Sequence, residues 1–119
     1  MTNQLSTTVR AVTEQIRIID IRGDLTAQSE ETLTSAYDEA GKNGTKAIIL
    51  NFEGLDYMNS SGIGLLVTML IRVQRSKQRL LAYGLTDHYQ QIFELTRLNE
   101  AIGIYESEQA AAAAVSTTA

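Results

Sequence analysis

Two serines and two glycines open an apolar run in residues 56–67, which read DYMNSSGIGLLV. A serine hydroxyl can cap a helix, act as a nucleophile or accept a phosphoryl group, and each role needs different neighbours. Ser60 is predicted at or next to the N-cap of a helix, where its oxygen can accept a hydrogen bond from a first-turn N–H. Gly62 and Gly64 would let other groups approach closely, although each reduces helix propensity by about 1 kcal/mol relative to alanine.

Two chemical interpretations of this segment find little support in the neighbouring residues. A dinucleotide-binding fingerprint requires G-x-G-x-x-G, but Val67 stands where the third glycine belongs. A serine hydrolase requires G-x-S-x-G and a histidine base, but no glycine stands two residues before Ser60. The single histidine, His88, is predicted to be a surface residue in the first turn of a helix. Taken alone, the residues favour a helix cap at Ser60 over phosphorylation.

The composition of the 119-residue chain is typical of one globular domain, with 44% hydrophobic and 20% charged residues. A formal charge of −4 disfavours non-specific binding to nucleic acid or to an anionic membrane. The absence of cysteine excludes disulfides and cysteine-ligated metals, and a single histidine disfavours other metal sites. The longest mostly apolar run, residues 62–71, is too short to cross a bilayer. We therefore predict a soluble cytoplasmic protein without metal or cofactor, whose partner is a protein or a small ligand.

The elements that position the serines follow from the hydrophobic pattern. Residues 7–12 and 15–22 are predicted as an antiparallel pair of strands, with Gly23 breaking the second. Apolar runs predict strands at residues 46–52, 79–84 and 102–105, and residues 53–59 are expected to form a loop. A helix starting after Thr26 or Ser29 is predicted before Gly44, with the inner face Leu33, Ala36, Tyr37 and Ala40. Further helices are predicted at residues 60–78 and 86–98.

The order ββαβαβαβ predicts an α/β fold with a mainly parallel sheet, one antiparallel strand and about four α-helices. Residues 1–106 are predicted to form a single domain. Residues 107–119 are an alanine-rich tail, expected to form a short helix that frays because few large apolar groups can anchor it. The serines follow the carboxyl end of a parallel strand, where sites gather in open α/β sheets.

A family resemblance rests on residues 23–26, GDLT, on residues 47–52 and above all on residues 56–64, DYMNSSGIG. These segments resemble the STAS domain of bacterial anti-sigma factor antagonists, whose central motif is roughly D-x-x-[DN]-S-[ST]-G-[IL]-G. The resemblance covers residues 7–105 and implies a non-enzymatic protein that works by partner switching. In that family the unphosphorylated protein binds an anti-sigma factor that is also a serine kinase of the histidine-kinase-like ATPase fold. The kinase phosphorylates the first serine of the motif, here Ser60, which releases the partner, and a PP2C-type phosphatase restores the serine.

The resemblance also implies a partner-binding surface around that serine. It comprises Gly23, Asp24, Thr26, Asn59, Ser61, Gly62, Ile63 and Gly64. Two positions differ from the family pattern, because Asn59 replaces the usual aspartate and Thr26 replaces an acidic residue. Asparagine can hydrogen-bond to a turn but offers no negative charge to the kinase's magnesium or to a basic partner residue. Met58 and Ile63 can either supply contact area to the partner or pack in the core.

Other functions stay open at this point. The main alternative is a STAS scaffold or regulator in a signalling pathway with a non-sigma target, since partner identity resides in surface residues. More remote alternatives are a hydrolase that uses Ser60 and a small-ligand binder at residues 62–64.

Overall fold

The computed structural model describes residues 4–42 and 44–116 as strands alternating with helices. The strands are β1 (Ser6–Ala11), β2 (Ile16–Leu25), β3 (Ala47–Met58), β4 (Arg79–Tyr83) and β5 (Gly103–Tyr105). The α-helices are α1 (Glu30–Ala40), α2 (Ser60–Arg75), α3 (Asp87–Leu95) and α4 (Glu108–Ser116).

The described strands form one sheet in the order β1-β2-β3-β4-β5. β1 is antiparallel to β2, and the other neighbouring pairs are parallel. The central strand β3 begins with four fully buried residues, Ala47, Ile48, Ile49 and Leu50. A continuous apolar run of this kind is typical of a strand covered on both faces. The predicted α/β class, with one antiparallel strand in a mainly parallel sheet, is confirmed.

Alternate residues of the strands serve two separate apolar layers. Ile48 and Leu50 belong to a core that includes side chains from α1, α2 and α3, whereas Ile49 belongs to a second cluster with Ala111 of α4. The predicted inner face of α1 is confirmed, because its apolar positions are all buried. These positions are Leu33, Ala36, Tyr37 and Ala40.

Two strands are longer than their sequence predicts. The expectation that Gly23 ends β2 is wrong, because β2 continues to Leu25 through a register shift between Gly23 and Asp24. The positive φ of 94° at Gly23 permits this bend, which most other residues would adopt only with strain. The loop predicted at residues 53–59 is also wrong over most of its length, because β3 pairs with β2 as far as Met58. The β3–β4 pairing ends at Asn51, so the ends of β2 and β3 form a two-stranded ribbon that leads directly into α2.

The alanine-rich tail packs on the sheet face opposite to α1, α2 and α3. Ala111 of α4 is fully buried in the cluster that contains Ile16, Ile18 and Ile49. The predicted short helix is present as α4, and although it offers few large apolar groups, the small side chain of Ala111 anchors it to the sheet. The predicted fraying of the last residues, 117–119, lies outside the described residues. The domain boundary after residue 106 stays a prediction.

A polar cluster fixes the start of α4 to the sheet. Arg10 donates to both carboxylate oxygens of Asp20 at 2.6 and 2.9 Å and to Glu108 at 3.0 Å. The Asn51 side-chain amide also donates to the Asp20 carboxylate, at 2.7 Å. The Tyr83 hydroxyl donates to the Glu108 carboxylate at 3.2 Å. The hydrogen bond from Arg10 lowers the pKa of the Asp20 carboxyl, against the opposing effect of burial. Burial, with a further contribution from Glu108, raises the pKa of Tyr83 to about 12.

The depressed pKa of Asp20 predicts how stability depends on pH. Since the folded-state pKa lies below the ordinary value of about 3.9, the carboxylate contributes fully above that pH and loses its contribution as pH falls through the folded-state pKa. We expect Asp20→Asn to lower the free energy of unfolding by about 1–3 kcal/mol at pH 7. Urea denaturation below about pH 4 should show a smaller deficit.

The matched control is Asp38→Asn, which removes an exposed ion pair with Arg72. It should change the free energy of unfolding by less than about 0.5 kcal/mol. A deficit for Asp20→Asn that stays constant from neutral to acid pH would contradict the account of Asp20.

Candidate functional site

The start of α2 places both motif serines on the protein surface. Asn59 is the N-cap residue, and its side-chain oxygen accepts a hydrogen bond from the backbone N–H of Gly62 at 3.0 Å. Ser60 and Ser61 follow as the first two residues of the helix, and both are exposed. Ser60 therefore lies next to the N-cap, as predicted, but Asn59 makes the capping hydrogen bond that the sequence assigned to Ser60. Helix capping therefore does not account for the exposed hydroxyl of Ser60.

The end of β2 holds the start of α2 through the carbonyl group of Leu25. A Cβ atom on Gly62 would lie 2.2 Å from the Leu25 carbonyl oxygen, a separation that no side chain tolerates. The same oxygen accepts a hydrogen bond from the backbone N–H of Asn59 at 3.3 Å. Gly62 is therefore required for packing. Gly64 is different. Apart from its chain neighbours and its own helix backbone, no heavy atom of the described residues lies within 4 Å of its Cβ position.

The turn between β2 and α1 lies beside this helix start. In the sheet register Asp24 pairs with Tyr57 and Leu25 pairs with Met58, so the GDLT segment and the serine motif are neighbours across two strands. A twelve-residue β3 is what produces this proximity. The structure therefore brings two of the three segments that carry the family resemblance, residues 23–26 and 56–64, to one end of the sheet.

Internal hydrogen bonds order the same turn. The Thr26 backbone N–H donates to the Ser29 hydroxyl oxygen at 3.0 Å, and that hydroxyl donates to the Asp24 carbonyl oxygen at 3.0 Å. The Gln28 backbone N–H donates to the Thr26 hydroxyl oxygen at 3.3 Å. Asp24 and Thr26 are half-buried and contribute to the lining of a small polar cavity of about 170 Å³.

The remaining predicted contact residues divide between the core and the surface. Met58 is buried in the core, so of the two roles left open for it the structure shows core packing. Ile63 is half-buried and packs against that core while keeping an exposed edge. Tyr57 is 48% exposed although it is aromatic, and it directly precedes Met58 at the end of the ribbon.

Two residues that position the site were missed by the sequence analysis. Leu25 lies outside the serine motif, and its role depends on a non-local contact with Gly62. Tyr89 of α3 is buried, and its hydroxyl oxygen accepts a hydrogen bond from the Met58 backbone N–H at 2.9 Å. A buried tyrosine usually finds a polar partner for its hydroxyl, and this was the available signal. His88 is exposed, as predicted.

Residues 4–42 and 44–116 contain no group of three or more histidine, aspartate or glutamate side chains placed to hold a metal ion. In the same residues, none of the helices has both the length and the hydropathy needed to cross a bilayer.

Comparison with known proteins identifies the family. The STAS domain model matches residues 8–111, and the chain belongs to the STAS domain family. This confirms the resemblance based on residues 23–26, 47–52 and 56–64.

Named relatives and solved structures agree with this assignment. The chain is 26% identical over 91 residues to the anti-sigma-B factor antagonist of Staphylococcus aureus, covering 76% of this chain and 84% of that protein. It shares its fold with the anti-sigma factor antagonist SpoIIAA in its unphosphorylated form, with a TM-score of 0.74, 21% identity, and coverage of 95% and 100% of the two chains. The phosphorylated form of Bacillus SpoIIAA gives a TM-score of 0.63, 22% identity, and coverage of 88% and 96%.

The two glycines of the motif provide a matched test of the site geometry. We expect Gly62→Ala to lower the free energy of unfolding by about 1–3 kcal/mol, because the new methyl group meets the backbone of Leu25. Gly64→Ala should raise it by up to about 1 kcal/mol, because alanine favours the helix and meets open space. Urea denaturation of both variants measures the two changes. Equal stability of Gly62→Ala and the unmodified protein would contradict the contact with Leu25.

Proposed function

We propose that this protein is an anti-sigma factor antagonist that acts by partner switching, with Ser60 as the phosphorylated residue. In its unphosphorylated form it binds an anti-sigma factor that is also a serine kinase of the histidine-kinase-like ATPase fold. Phosphorylation of Ser60 releases that partner, and a PP2C-type phosphatase resets the protein. In this proposal the protein is a cytoplasmic regulator and not an enzyme. Membership of the STAS family and the name of the Staphylococcus aureus relative support it.

The observation that carries the proposal is the exposed hydroxyl of Ser60 at the first position of α2, beside a cap that Asn59 supplies. The first N–H groups of a helix lack intrahelical partners, and the positive end of the helix dipole favours an anion there. The first turn of α2 contains no acidic residue. A phosphate on Ser60 would therefore meet a favourable local field, and the domain would stay folded after modification.

A single phosphate has enough electrostatic effect to drive the release. It adds about −1.5 to −2 charges at pH 7. Changing a partner from about 99% bound to about 1% bound requires roughly 5.5 kcal/mol of differential affinity. Burying an unpaired ion in an interface costs several kcal/mol, which is of that order.

The proposed partner-binding surface surrounds Ser60. Its exposed and half-buried residues are Asp24, Thr26, Asn59, Ser61, Ile63 and Gly64, and the buried Gly23 and Gly62 shape the backbone beneath them. Within it, Asn59 differs from the aspartate usual in the family, but its side-chain oxygen is directed to the Gly62 N–H. We infer that residue 59 acts mainly on the helix start, so the substitution preserves the position of Ser60 while removing one negative charge from the surface.

Charge variants at Ser60 test the switch. We expect Ser60→Ala to bind the cognate anti-sigma kinase as tightly as the unmodified protein, and Ser60→Asp to bind at least about tenfold more weakly because its carboxylate would be buried in the interface. Isothermal titration calorimetry measures both affinities. Ser35→Ala and Ser35→Asp, at an exposed serine of α1 outside the proposed surface, are the matched controls and should leave affinity unchanged. Equal affinity of Ser60→Ala and Ser60→Asp would contradict the proposal.

Phosphosite mapping tests the identity of the modified residue. After incubation with the kinase and ATP, mass spectrometry should find phosphate on Ser60 and none on Ser61, although both serines are exposed. Phosphate on Ser61 alone would reject the assignment. Adding the sigma factor as a competitor then separates the two functions. Release of sigma factor by the unphosphorylated protein supports the proposal, whereas binding without release indicates a regulator with a non-sigma target.

A further inference from the structure

An exposed line of residues continues along α2 from Ser60. Ser60, Gly64, Val67 and Ile71 follow one another at spacings of four, three and four residues, which places them on the same side of a helix. Ser60 and Gly64 are exposed, and the large apolar residues Val67 and Ile71 are 37% and 44% exposed. These four residues are called the α2 stripe. It extends for about 16 Å along the helix axis.

The α2 stripe lies in the part of α2 that carries no charged side chain, and its last residue, Ile71, adjoins the basic end of the helix at Arg72 and Arg75. α2 contains no charged residue before Arg72, in a chain in which 20% of residues are charged. The neighbouring Thr68 donates its hydroxyl to the Gly64 carbonyl oxygen at 3.1 Å, so this polar group is directed along the helix. Depletion of charge around exposed apolar residues is a property of the centres of protein interfaces.

Gly64 provides an independent indication of close approach. In a helix interior glycine is less favourable than alanine. Gly62 has an internal reason to lack a side chain, but the described residues provide none at Gly64, because its Cβ position is open within 4 Å. The close approach of a partner's backbone would account for a glycine at this position.

We infer that the α2 stripe is a docking surface for the anti-sigma kinase that acts on Ser60, and that an apolar segment of this kinase approaches Gly64 and contacts Val67 and Ile71. The inference rests on the proposed function, which places that kinase at Ser60. A specific protein interface covers about 800 Å² on each partner, so a kinase bound at Ser60 must also cover adjoining turns. The α2 stripe continues from Ser60 along these turns and presents the exposed apolar side chains of Val67 and Ile71. Val67 and Ile71 would then supply affinity, and the charge state of Ser60 would decide whether the complex persists.

The test compares full-length variants in binding to the purified kinase that phosphorylates Ser60. We expect Val67→Ala and Ile71→Ala each to weaken binding at least about fivefold in calorimetric titrations, because they remove buried apolar contacts. Gly64→Ala should weaken binding about tenfold while leaving the free protein as stable or more stable, so a folding defect cannot explain the loss. The matched control is Leu95→Ala on α3, which removes a side chain that is 78% exposed and should leave affinity unchanged.

The outcomes separate this inference from the proposed function. If the three stripe variants bind like the unmodified protein while Ser60 is still phosphorylated and Ser60→Asp still binds weakly, the inference is overturned and the proposed function stands. If no anti-sigma kinase binds or phosphorylates the unmodified protein, both fail. If light scattering shows that the stripe variants abolish self-association and kinase binding is unchanged, the stripe is a contact between copies of this chain and the inference is also overturned.

Discussion

The close contact between the Leu25 carbonyl group and the start of α2 is the constraint on which the site depends. The oxygen accepts the Asn59 N–H, and the missing side chain of Gly62 lets the helix approach it. The contact joins the end of β2 to the first turn of α2, so the two segments of the family motif keep a fixed relation.

Structural and exposed roles alternate along the motif. Met58 is buried in the core, Asn59 caps the helix, and Gly62 packs against the neighbouring strand. Ser60 and Gly64 make none of these supporting contacts and face outward. A modification at Ser60 can therefore change what the surface presents without disturbing the groups that hold the helix in place. This separation is what a regulator needs if it is to alternate between two folded states.

The sequence predicted the features that depend on local pattern. Element order, the inner face of α1 and the position of Ser60 beside a helix start all follow from periodicity and capping residues. The extension of β3 to Met58 could not be predicted in the same way, because it depends on pairing with a distant strand. The capping role of Asn59 was missed because serine and asparagine are comparable N-cap residues and both stand at the boundary. The packing of α4 was missed because alanine gives little hydrophobic signal, and only the sheet beneath it reveals the burial of Ala111.

The central claim is that charge on one exposed hydroxyl controls the binding of a regulator. The most direct measurement is the affinity of the cognate anti-sigma kinase for the same protein before and after stoichiometric phosphorylation of Ser60, with unfolding curves to show that both forms are folded. The account predicts a loss of affinity approaching about 10⁴-fold, which is the ratio needed to change the bound fraction from about 99% to about 1%. Equal affinity of the two folded forms would contradict it.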